Sequence, residues 1–311
     1  MMPRPLIIDC DPGVDDAIAL LIALASPKTF NIVGITTVAG NVPLEFTTAN
    51  ALKICKLAGK PTVPVYAGCP RPMVRALHTA TEIHGATGLQ GTPLPEPSQA
   101  PQPQHGVDFL IETLLTATAP ITLATLGPLT NVAIALIKAP QIAQNVAEIV
   151  AMGGAITHGN VTPSAEFNIY VDPHAAQVVF DAGIPTTLIT LDTTHQVLTT
   201  PQRLSTLRQI GTPVATAAAD LLTHYGQPDI ERYGIAGAPL HDPCVMAYLL
   251  RPDLFVRRTA HVVIETIGQH TIGRTIVDWW PKPSTPMNAH VVESVDADAV
   301  YDLLIDHLAK L

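Results

Sequence analysis

Asp9-Cys10-Asp11-Pro12-Gly13-Val14-Asp15-Asp16 packs four aspartates into eight positions, between the apolar runs Pro5-Leu6-Ile7-Ile8 and Ala17-Ile18-Ala19-Leu20-Leu21-Ile22-Ala23-Leu24. The pattern predicts a strand, an acidic turn and a helix. Strand side chains have period two, so Asp9 and Asp11 are expected to point the same way from the strand end. Pro12-Gly13 turns the chain, and Asp15 and Asp16 fall in the first helical turn, where the helix dipole favours negative charge. In an open α/β sheet this turn lies at the carboxyl ends of the strands, where ligands bind. Like charges this close repel and raise one another's pKa unless a cation or a proton compensates. As turn and helix-end residues alone, Asp11, Asp15 and Asp16 have an ordinary structural reading. Four acids in one turn shift the balance toward a bound divalent cation.

The chain has 311 residues, 47% hydrophobic and 14% charged, enough to bury a large core. Its net charge of -9 and the lack of any Lys/Arg run argue against nucleic acid and anionic membranes as partners. A small molecule is the expected ligand. Met1 to Arg4 lead directly into the first apolar run, leaving no space for a signal peptide, and residues 17–25 are too few to span a bilayer. The expectation is a soluble, cytoplasmic protein. Cys10, Cys55, Cys69 and Cys244 are scattered without a C-x-x-C pair, which suggests reduced thiols and no zinc site.

Apolar runs bounded by Gly, Pro and Asn alternate with helical patterns. Strands are expected at Ile32 to Val38, Val63 to Ala67, Ile121 to Leu126, Glu148 to Met152 and Thr186 to Leu191. Helices are expected at Pro43 to Ala58, Leu129 to Lys138 and Pro173 to Asp181, and helices dominate after Leu191 to about residue 251. Strands near 260–266, 272–279 and 289–293 and a helix from Ala297 to Ala309 complete the chain. Residues 92–105 carry five prolines and read as an extended surface loop. The alternation gives the fold class: α/β, a single large domain over residues 1–311, with an open, mostly parallel sheet flanked by helices and a Rossmann-like core.

Further strand ends carry polar clusters. Asn41 follows Gly40, where taken alone a plain turn residue is the favoured reading. Leu126-Gly127-Pro128-Leu129-Thr130-Asn131 forms a tight bend that can expose a backbone carbonyl as a hard oxygen ligand. Asn160, Glu166, Phe167 and Asn168 offer two amides and a carboxylate beside an aromatic, a set suited to sugar hydroxyls and an apolar ring face, though ordinary loops look similar. His241-Asp242-Pro243 precedes a helical pattern; Asp242 reads as an N-cap or as a ligand, and His241 beside it as a proton donor.

Asp9 to Asp16, Met152-Gly153-Gly154, Ala165-Glu166-Phe167-Asn168 and His241-Asp242-Pro243, in this order and spacing, resemble the inosine-uridine-preferring nucleoside hydrolases over nearly the whole chain. Gly237 to Cys244 looks especially similar to the pyrimidine-specific ribonucleoside hydrolases. The resemblance implies hydrolysis of the N-glycosidic bond of ribonucleosides, with uridine and cytidine preferred, a role in nucleoside salvage, and a homodimer or homotetramer. It implies Ca2+ held by Asp11, Asp16, the Leu126 carbonyl and Asp242, with Asp11 as base and His241 as acid to the leaving base. It assigns Asp15, Asn41, Asn160, Glu166 and Asn168 to the ribose hydroxyls, beside Phe167. Thr223, Gln227 and Tyr233, just upstream of His241, either form the base pocket or end a surface helix, and His84 either assists the leaving base or orders its loop; Glu82 replaces a histidine of some relatives.

A rival reading makes Asp9 the nucleophile of a haloacid dehalogenase-like phosphohydrolase. No Gly-Asp dipeptide and no basic phosphate cradle accompany it. A non-catalytic sugar or Ca2+ binding module is the third alternative; it needs neither the base nor the acid offered by Asp11 and His241.

Overall fold

The computed structural model describes residues 3–225, 230, 231 and 234–311. A nine-stranded sheet organises them. In chain order the strands are β1 (Arg4–Cys10), β2 (Phe30–Thr37), β3 (Val65–Ala67), β4 (Ile121–Thr125), β5 (Val146–Met152), β6 (Thr186–Ile189), β7 (Leu198–Thr199), β8 (Ala238–Pro239), β9 (Phe255–Ile264), β10 (Thr275–Asp278) and β11 (Ala289–Val295). The sheet order is β10-β9-β11-β6-β5-β4-β1-β2-β3, with β7 and β8 forming a separate antiparallel pair. Pairings from β3 across to β11 are parallel, and β9 runs antiparallel to both β11 and β10.

Helices cover both faces, which is why the central strands are apolar throughout rather than alternating. Leu6, Ile8 and Cys10 pack into one core with helix α1 (Val14–Leu24) and the helices Pro243–Leu250 and Ala297–Leu308. Ile7, from the same strand, enters the opposite core with the helices Gly106–Thr116, Thr130–Lys138 and Pro173–Asp181. The period of two in one strand thus divides the interior into two layers.

The expected α/β fold with a mostly parallel sheet is present. Two details differ. The stretch to residue 251, in which helices dominate as expected, also contains the short strands β7 and β8, whose pairing, with Leu240 N–H donating to the Val197 carbonyl at 2.8 Å, leads into residues 241 and 242. The proline-rich segment lies along the sheet margin, tied where Gln102 N–H donates to the Val65 carbonyl at 2.8 Å. No helix among the described residues is long and apolar enough to cross a membrane.

The chain steps from β1 outward to β2 and β3, and later from β4 outward to β5 and β6. The direction of winding reverses between β1 and β4, so a crevice opens at their carboxyl ends. The acidic turn follows β1 and the Leu126–Asn131 bend follows β4.

Candidate active site

A cavity of about 450 Å³ opens at this reversal, with Asp15, Asn41, His84, Leu126, Asn160, Glu166, Phe167, Asn168, His241 and Asp242 in its wall. The three remaining acids of the turn lie differently. Asp11 and Asp16 are fully buried directly beneath. Asp9 shares the strand face with Asp11 but is sealed off from the cavity, its Oδ2 accepting from Thr36 Oγ1 at 2.5 Å and Asn131 Nδ2 at 2.9 Å. Not every acid of the turn faces the crevice, and Asp9, the nucleophile of the phosphohydrolase reading, is out of a ligand's reach.

Asp16 folds the turn. Its Oδ1 accepts from Asp11 N–H at 3.1 Å, while Oδ2 accepts from Gly13 N–H at 3.0 Å and Asn41 Nδ2 at 3.1 Å. Asp11 Oδ2 accepts from Asn41 N–H at 2.7 Å, whereas its Oδ1 is buried with no hydrogen-bond partner. Gly40 and Gly127 flank that carboxylate, and a Cβ on either would overlap it. Asn41 is therefore a brace of the acidic turn as well as part of the cavity wall.

Asp15, Asp16 and Asp242 bring carboxylate oxygens within 4.8 Å of one another. Asp242 stands at the start of the helix Pro243–Leu250, yet its side chain makes no capping hydrogen bond, so the helix does not consume it. Burial, then the charge of Asp16, pushes the Asp11 carboxyl well above its usual range. Burial and Asp15 raise Asp16 to about 7, and burial followed by Asp15, Asp16 and Asp11 raises Asp242. No Lys or Arg pairs with these groups among the described residues. Converging carboxylates, an unpartnered Asp11 oxygen and the Leu126 carbonyl form an all-oxygen donor set that fits a hard divalent cation.

The opposite wall comes from the segment after β5. Glu166 caps the helix Phe167–Val171, accepting from Asn168 N–H at 2.9 Å and Ile169 N–H at 3.2 Å, and also from Gly154 N–H at 2.8 Å. Burial nevertheless raises its carboxyl to about 7. Asn160 Oδ1 accepts from Phe167 N–H at 3.0 Å, closing the loop over Phe167. Asn168 Nδ2 donates to the Leu126 carbonyl at 2.6 Å and to Met152 O at 3.2 Å.

Two buried histidines complete the wall. His84 Nδ1 accepts from Val14 N–H at 3.1 Å, so this ring orders the start of α1, and its face lies 5.3 Å from Tyr225. His241 Nδ1 lies 2.7 Å from Thr194 Oγ1. Burial lowers both rings to about 4.

Thr223 is not in the cavity wall; its hydroxyl donates to the Ala219 carbonyl at 2.6 Å and accepts from Arg208 at 2.7 Å on the outer side of its helix. Gln227 and Tyr233 lie outside the described residues. Sequence reading did not single out Tyr225, Tyr170 or His78, which also line the cavity. Tyr225 ends an amphipathic helix and has the sequence signature of an ordinary core aromatic.

The family model of the inosine-uridine preferring nucleoside hydrolases matches residues 6–302. An uncharacterized protein of Schizosaccharomyces pombe is 47% identical over 308 residues, covering 98% of this chain and 99% of its own. The pyrimidine-specific ribonucleoside hydrolase RihA of Photobacterium profundum is 46% identical over 313 residues, covering 99% of this chain and 100% of its own. Among solved structures, the purine-preferring ribonucleoside hydrolase from Gardnerella vaginalis is similar with a TM-score of 0.92 and 33% identity, covering 98% of each chain. With its acidic turn, strand-reversal cavity and full-length match, the chain belongs to the inosine-uridine preferring nucleoside hydrolase family and is an N-ribosyl hydrolase.

Proposed function

We propose that the protein is a Ca2+-dependent ribonucleoside hydrolase that prefers pyrimidine nucleosides. The observation that carries the reading is the convergence of the buried Asp15, Asp16 and Asp242 carboxylates, with the unpartnered Oδ1 of Asp11 close to Asp16. Asp11, Asp16, Asp242 and the Leu126 carbonyl would hold the ion. When bound, Ca2+ supplies a fixed charge that orients ligand oxygens and favours deprotonation of a nearby water.

The remaining roles belong to this chain's own side chains. Asp11 Oδ1 accepts the proton of the attacking water. Asp15, Asn41, Asn160, Glu166 and Asn168 bind the ribose hydroxyls, with Phe167 against the sugar's apolar side. As the N-glycosidic bond breaks, positive charge grows on the ribose, and the carboxylates around it stabilise that charge without reorganising. The base departs with the bonding electrons. A hydrogen bond donated by His241 stabilises the charge that develops on it.

The pyrimidine preference is supported by the 46% identity to RihA, against 33% to the purine-preferring structure. His84, Tyr225 and His241 offer the base-side wall, and Gln227 remains a candidate contact. Two or four identical chains would form the assembly, for which exposed Ile267 and Trp280 offer apolar area. Sedimentation equilibrium tests that part. A cytoplasmic place in nucleoside salvage belongs to the same proposal and is tested by cell fractionation.

A nucleoside panel with released ribose measured decides the substrate. Uridine and cytidine are expected to exceed inosine in kcat/KM, and 2'-deoxyuridine to be far poorer than uridine. Equal values for uridine and inosine would defeat the base preference. Equal values for uridine and 2'-deoxyuridine would defeat the sugar coordination.

A further inference from the structure

His241 presents a choice that its place in the cavity wall leaves open. A neutral imidazole carries one N–H, on Nδ1 or Nε2, and only one arrangement offers a donor to the cavity. Thr194 is fully buried at the end of the short helix Leu191–Thr194, which follows β6. Its surroundings are fixed from several sides. Leu191 N–H donates to the Gly154 carbonyl at 3.0 Å, Thr193 Oγ1 to the Val292 carbonyl at 2.8 Å, and Thr194 N–H to the Thr190 carbonyl at 3.0 Å.

The single hydroxyl proton of Thr194 has two acceptors within reach. His241 Nδ1 lies at 2.7 Å and the Leu191 carbonyl at 3.5 Å. At 3.5 Å, from an oxygen that also accepts His195 N–H at 2.9 Å, the carbonyl contact is much the weaker, and the 2.7 Å contact favours donation of the hydroxyl proton to Nδ1. With Nδ1 accepting, the ring's own hydrogen sits on Nε2.

We propose that Thr194 is a positioning residue that fixes His241 as the Nε2–H tautomer, so that a donor faces the leaving base. The proposal rests on the donor role of His241 stated above. Thr194 touches neither substrate nor metal ligand in it, and acts through the ring alone.

Thr194→Val keeps the shape and removes the hydroxyl; Thr194→Ser restores it. On uridine, Thr194→Val is expected to lower kcat by about 10- to 100-fold, the scale of one lost buried hydrogen bond, with KM nearly unchanged. On p-nitrophenyl riboside, whose leaving group needs no donor, kcat should stay within about 2-fold, since general-acid assistance contributes nothing there. Thr194→Ser should recover most of the uridine rate. Nitrogen-15 NMR of labelled histidines should show His241 as Nε2–H in the wild type and a tautomer mixture in Thr194→Val.

His241→Ala, assayed in parallel, separates the two levels. If it too spares p-nitrophenyl riboside while Thr194→Val leaves the uridine rate intact, His241 is the donor and Thr194 does not position it. If His241→Ala slows both substrates equally, the donor role itself fails. A Thr194→Val protein slowed equally on both substrates, or a wild-type ring protonated on Nδ1, overturns the proposal directly.

Discussion

Asn168 holds the Leu126 carbonyl: its Nδ2 lies 2.6 Å from that oxygen, and the same amide reaches Met152 O at 3.2 Å. One side chain thereby ties the ends of β4 and β5 together and aims the one backbone oxygen assigned to the cation. Asn168→Ala leaves both buried carbonyls short of a donor, at a cost of about 1–3 kcal/mol. A fall of roughly 10- to 100-fold in kcat/KM for uridine, with weaker metal retention on dialysis, is expected. Unchanged metal retention would limit Asn168 to contacts with the sugar.

Gly127 and Gly40 leave no room for a side chain beside Asp11. A methyl group at either position must displace the carboxylate or the bend that carries it, and overpacking of this kind costs about 1–3 kcal/mol. Gly127→Ala and Gly40→Ala are expected to fold, by circular dichroism, yet to lose most turnover. Full activity in either would show that the Asp11 geometry is not needed.

The donor set predicts the ion. Elemental analysis of protein purified without chelator should give about one Ca2+ per chain, as suits a site of hard oxygen ligands. EDTA should abolish activity and added Ca2+ restore it. Asp11→Ala should lower kcat by several orders of magnitude, on the order of the 10² to 10⁴ of general-base catalysis plus the loss from altered metal binding, while the fold persists. Stoichiometric zinc, or near-normal turnover in metal-replete Asp11→Ala, would contradict the assignment.

Glu166 makes stability fall as pH rises toward neutrality. Burial raises its carboxyl from 4.5 to about 7, so the folded state binds a proton that the unfolded state has released. Its contribution to stability is fully present below pH 4.5 and lost as pH rises through about 7. Metal-free wild type and Glu166→Gln, compared by thermal denaturation between pH 4 and about 8, should differ increasingly in the variant's favour as pH rises across this window. The constant offset from altered helix capping is immaterial; the slope carries the result. A pH-independent difference would mean that Glu166 keeps an ordinary carboxyl pKa in the folded protein.

The acidic turn and the alternation of apolar runs with helical patterns were legible because both are local. Asp15 and Asp16 lie at the start of α1 as their spacing requires, and Pro173–Asp181 is helical over the expected range. The exposed carbonyl proposed at the Leu126 bend and the polar cluster at Glu166 to Asn168 could be suspected, since turn residues and amides cluster there in sequence. Their convergence with Asp242, from more than 70 residues further along, depends on the strand order and could not be read locally.

Tertiary structure alone decided which polar groups are spent and which are available. Asp9 and Asp11 each keep one buried oxygen without a hydrogen-bond partner, but Thr36 and Asn131 hold Asp9 between the strands, whereas Asp11 lies against Gly40, Asn41 and Gly127 beside Asp16. Asp242 sits at a helix start without capping it, whereas Glu166 caps its own helix. Thr223 bonds away from the cavity, and Thr194, unremarkable in sequence, meets His241. Local sequence determines periodicity, turns and charge, because those depend on near neighbours. Hydrogen-bond partners depend on which distant strand ends the sheet brings together, and that is where free and occupied polar groups part.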